Sequence, residues 1–82
     1  MLTDELVRGQ IVRSKAGRDG GKFYVVIAWT KRDVFVADGR KHTMEKPKRK
    51  NKKHLWYTKT VVHINDDQSI VSILADFVGE HA

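Results

Sequence analysis

The sequence predicts a mainly β protein: a small, strongly bent barrel of about five strands with a C-terminal α-helix. Three observations predict it. Short runs rich in β-branched and aromatic residues recur up to residue 64. Glycine-bearing or strongly charged segments separate those runs. Helical spacing of apolar residues is clearest beyond residue 65, at Ile70, Val71, Ile73, Leu74, Phe77 and Val78.

Gln10 to Lys15 reads as a first strand, and Ala16 to Lys22 as a turn in which three glycines supply positive φ. Phe23 to Thr30 is the clearest strand. Phe23, Val25, Ile27 and Trp29 are expected on one face, with Tyr24, Val26 and Ala28 on the other. Both faces are apolar, so this strand should be central and buried from two sides. Asp33 to Ala37 is a third strand. Asp38-Gly39 signals a two-residue hairpin turn, and Arg40 to Met44 returns as a basic edge strand.

Lys46 to His54 is expected to be a loop, because proline lacks a ladder donor and like charges repel along a regular element. Leu55 to Ile64 completes the strands. Asn65, Asp66 and Asp67 are expected to cap a helix over 66–79, with Gly79 as its stop. Five short strands with tight turns favour an SH3-like barrel, whose open end the helix would close. The chain thus reads as one domain over 1–82, with the barrel at 5–64.

Composition narrows the function. The chain has 82 residues, 40% of them apolar, enough to fold around a small core. It has no cysteine, which excludes disulfides and thiolate metal sites and suits a reducing cytoplasm. No apolar run is long enough to span a membrane, and the acidic start is unlike a signal peptide. A monomer is expected.

The formal charge of +6 is unevenly placed. Residues 31–55 carry ten Lys or Arg against Asp33, Asp38 and Glu45. Residues 60–82 carry Asp66, Asp67, Asp76 and Glu80 and no Lys or Arg. One side of the molecule should therefore face a polyanion.

Gly9 to Val26, with its strand, glycine loop and strand, resembles a KOW motif. Val36-Ala37-Asp38-Gly39-Arg40, then Glu45-Lys46-Pro47-Lys48 and Asn51-Lys52-Lys53-His54-Leu55, is more specific. It resembles the bacterial KOW-domain proteins similar to the large-subunit ribosomal protein "fourteen-e" of archaea and eukaryotes. The resemblance covers roughly residues 5–60. It implies an SH3-like barrel that binds RNA, as a ribosomal or ribosome-associated protein. Residues 65–82 carry no such likeness.

Two basic segments are the expected RNA contacts. Lys46, Lys48, Arg49, Lys50, Lys52 and Lys53, with His54, could track a phosphate backbone by releasing its counterions. If all six cations engaged a single strand, the salt slope would reach about −4. A solvated charge run is the plain alternative. The glycine loop adds Arg13, Lys15, Arg18 and Lys22, and Arg40 and Lys41 lie just beyond the Asp38-Gly39 turn. Asp19 is expected to order its own loop. Trp56 or Tyr57 could stack on an unpaired base, since strand alternation pushes one of them outward. Aromatic residues in so small a chain are more often core or rim.

Other chemistry is poorly supported. Gly17 to Phe23 lacks both the first glycine and the final hydroxyl of a phosphate-binding loop. Gly17-Arg18-Asp19-Gly20 matches the GXXG of KH domains, but strands flank it where helices should. His42, His54, His63 and His81 offer no helical metal pair. No serine–histidine–acid set can be justified, so no enzyme activity, metal or cofactor is expected. The expected function is RNA binding in ribosome assembly or translation, without membrane association. The alternative is a protein-interaction module of a KOW/SH3-like type that docks a translation or transcription partner, for which the C-terminal helix is one candidate surface.

Overall fold

A computed structural model describes residues 6–15 and 20–81. Strands β1 (Gln10–Ser14), β2 (Phe23–Trp29), β3 (Asp33–Ala37), β4 (Lys48–Asn51) and β5 (Leu55–Val61) precede helix α1 (Asp67–His81). All neighbours pair antiparallel in one sheet of order β4-β3-β2-β1-β5.

The sheet must curl. Its two edge strands, β4 and β5, are joined only by a 3-10 turn, Lys52–His54. That step spans at most about 14 Å, whereas five flat strands would place their edges about 19 Å apart. Curling gives the small barrel that the strand pattern predicted, with a single helix added.

Alternate residues of the central strands feed two cores. Val12, Tyr24, Val26, Val34, Val36 and Leu55 form one cluster without any helical residue, inside the curl. Ile11, Val25 and Ala37 point the other way and pack with Ile70, Leu74 and Phe77 of α1. β2 is central, and Tyr24, Val25 and Val26 are buried from two sides as its apolar run implies, whereas Ala28 and Trp29 at its end are exposed. The helix lies on the outer face of β1, β2 and β3 and does not close a barrel end. Ile11 and Val25 would otherwise face water.

Several local expectations are corrected. A bulge at Ile27 puts Ala28 opposite Phe35 and Trp29 opposite Val34. One extra residue reverses the strand's faces, so Trp29 joins the Val34 side and not the Phe23 side. Residues 40–44 form no strand. They belong to a loop between β3 and β4, and the basic edge strand is instead Lys48–Asn51, inside the segment expected to be a loop. β3 offers an unpaired ladder that needs a partner. Pro47 stands just before β4, where its missing N–H removes no ladder bond. Alternation sends Lys48 and Lys50 to one face and Arg49 to the other, which separates like charges.

The Asp38-Gly39 pair does not make a two-residue hairpin. Asp38 Oδ1 accepts from the amides of Arg40 and His42 and folds the start of that longer loop. Gly39 has φ +82°, and a β-carbon there would overlap the Asp67 carbonyl and a Val71 methyl. Asp67 is not the cap: its carboxylate accepts from the Met44 amide at 2.8 Å and straps the loop to the helix. Asp66 is the cap, accepting from Ser69 N, while Ser69 Oγ accepts from the Asp66 amide. The helix runs through Gly79 to His81, since that glycine has no positive φ. β5 ends at Val61 and not at residue 64.

Candidate nucleic-acid interface

The basic turn Lys52–His54 meets the end of β1. The register of β1 with β5 sets Ser14 opposite Leu55 and Arg13 opposite Trp56. Just past that ladder, the Lys15 amide donates to the His54 carbonyl at 2.8 Å. Lys15, just past β1, therefore lies beside the 3-10 turn that carries Lys52, Lys53 and His54. Asn51 caps that turn by accepting from the Lys53 amide, and Tyr57 Oη donates to the Lys52 carbonyl at 2.7 Å. These bonds fix three consecutive basic residues in one short turn.

Two cations missed in the sequence join this surface. The Lys52 amide donates to the Arg32 carbonyl at 3.0 Å, which places the Lys31-Arg32 turn against the same turn. The only advance signal was their membership of the basic stretch 31–55. Lys15, Lys31, Arg32 and Lys53 are exposed, as is Arg49 on β4, which leads directly into the turn. Lys48 and Lys50 are half-buried, with their Cβ atoms on the Val36 and Val34 side.

Arg13 is exposed but heavily engaged. Its guanidinium carbon is 5.5 Å from the ring centroids of both Phe23 and Trp56, and Nε donates to the Gly21 carbonyl at 3.3 Å. Lys15 Nζ lies 5.8 Å from the Trp56 centroid. Trp56 nevertheless keeps 52% of its surface exposed.

The remaining predicted contacts lie apart from this turn. Lys22 and Arg40 flank an open groove between α1 and the starts of β2 and the β3–β4 loop, floored by Phe23, Val71 and Leu74. Lys41 and Lys46 belong to the loop strapped to α1; the Lys46 amide donates to Thr43 Oγ1 at 3.0 Å. Arg18 and Asp19 lie outside the described residues.

A part-buried polar stitch joins β1 to β5, and nothing in the sequence announced it. Between the Gln10–Val61 and Val12–Tyr57 pairs, β5 is longer than β1, so its ladder is broken. Gln10 Nε2 donates to the Thr58 carbonyl, Gln10 Oε1 accepts from Val7 N, and Thr58 Oγ1 donates to the Ile11 carbonyl at 2.6 Å. These bonds satisfy groups that the broken ladder leaves open. No described helix is long and apolar enough to cross a membrane. Compared with protein-family models and with curated proteins, the chain has no match.

Proposed function

We propose that this chain is a small RNA-binding barrel that holds an RNA backbone on the basic surface around the Lys52–His54 turn, in ribosome assembly or translation in the cytoplasm. The observation that carries it is the junction of Lys15 with His54, which sets the exposed Lys15 beside the basic turn Lys52–His54. Phosphate contacts would dominate, because Lys and Arg side chains at this density offer charge but no evident base code. The resemblance of Gly9–Val26 and of the two later segments to KOW-domain ribosomal proteins supports the same reading. Docking of a protein through α1 has less support. The apolar side of α1, with Ile70, Leu74 and Phe77, is already spent on the barrel.

The test is charge reversal at the exposed Lys31, Arg49 and Lys53, which leaves the half-buried Lys48, Lys50 and Lys52 in place. Binding of the full chain to a fluorescent ribosomal RNA fragment is measured at moderate salt. Loss of binding with an unchanged thermal midpoint is expected. Retained binding would rule out this surface.

A further inference from the structure

Within that reading, and resting on it, we infer that Trp56 is a stacking platform for an unpaired base, so that the RNA partner contains a single-stranded stretch. Phe23, Arg13 and Trp56 occupy directly opposed positions on β2, β1 and β5 and form one row across the outer face of the sheet. The row continues onto α1, where Phe77 meets Phe23 edge to face at 5.2 Å. The cover given by the helix reaches Phe23 and stops short of Trp56, which stays 52% exposed.

That exposure is combined with restraint. The Arg13 guanidinium lies against the Trp56 ring, bears on Phe23 as well, and is anchored on the Gly21 carbonyl. A ring already held in place loses little freedom when a second flat group stacks on it. Cations also stand where a nucleotide needs them. Lys15 Nζ lies over the ring, 5.8 Å from its centroid, and Lys53 lies just ahead of Trp56 in the chain. A nucleotide carries its phosphate one sugar away from its base, so an aromatic ring beside ammonium groups suits both parts. A duplex keeps its base faces inside the stack and gains nothing from the ring. A proline-rich peptide could lie on an aromatic ring but has no use for the cations.

The experiment uses the full chain with Trp29→Phe, which leaves Trp56 as its single tryptophan. Short single-stranded RNA is expected to quench the fluorescence, and duplex RNA of equal length is not. Trp56→Leu keeps apolar bulk on Arg13 but has no π face. It should weaken single-stranded binding about ten-fold, with duplex binding and the salt slope unchanged. Trp56→Phe should recover most of the loss. An equal loss on both RNAs, no loss on either, or quenching by a proline-rich peptide alone would overturn the stacking proposal. Absence of salt-sensitive RNA binding by the unaltered chain would instead remove the reading beneath it.

Discussion

The main-chain amide of Lys15 donates to the carbonyl of His54 across 2.8 Å, joining residues far apart in the chain. This contact sets Lys15, at the end of β1, against the basic turn Lys52–His54. It uses only backbone atoms, so the surface stands on the β1–β5 register and not on any basic side chain.

That independence allows a clean electrostatic measurement. Replacing Arg49, Lys52 and Lys53 by Ala should leave the fold intact and reduce the steepness of log K against log salt by about 2 on single-stranded RNA. A slope equal to that of the unaltered chain would mean these side chains do not touch phosphate.

Arg13 should matter for stability as well as for charge. Arg13→Ala removes two ring contacts and the bond to Gly21, and should cost about 1–2 kcal/mol in urea unfolding. Arg13→Lys keeps the charge but not the planar group that fits between rings, and should restore less than half of it. Full recovery by lysine would contradict the geometry.

Gly39 and Gly79 should respond in opposite directions. Gly39→Ala forces a side chain into the helix backbone at positive φ and should destabilise by about 1–3 kcal/mol. Gly79 sits in α1 with open space around it, so Gly79→Ala should stabilise by up to about 1 kcal/mol. Thermal midpoints of the two variants, falling and rising respectively, provide the check.

The helix and barrel should unfold together. Phe77 is buried against the sheet and meets Phe23, so Phe77→Ala should cost about 3–5 kcal/mol. Because Ile11 and Val25 share that core, circular dichroism at helix wavelengths and Trp fluorescence should report one transition. Two separated transitions would show that α1 is only loosely attached.

Much of this protein was legible in its residues. The strands at Gln10, Phe23, Asp33 and Leu55 follow from runs of β-branched and aromatic side chains, and the helix from the spacing of Ile70, Leu74 and Phe77 behind the capping residues Asn65 to Asp67, of which the structure selects Asp66. These are properties of near neighbours, and a linear chain displays them. The concentration of cations between residues 31 and 55 was equally open to reading.

Tertiary structure alone decided the rest. Lys48–Asn51 looked like a loop by charge, but β3 had an open ladder and this segment was the one placed to fill it. The bulge at Ile27 turned Trp29 over, and packing on Ile11 and Val25 moved the helix from a barrel end to the outer face. Arg13 came to lie between Phe23 and Trp56 because three strands happened to align in one register. Hydrogen-bond satisfaction and burial depend on partners distant in the chain, and composition and periodicity carry no information about which partners those will be.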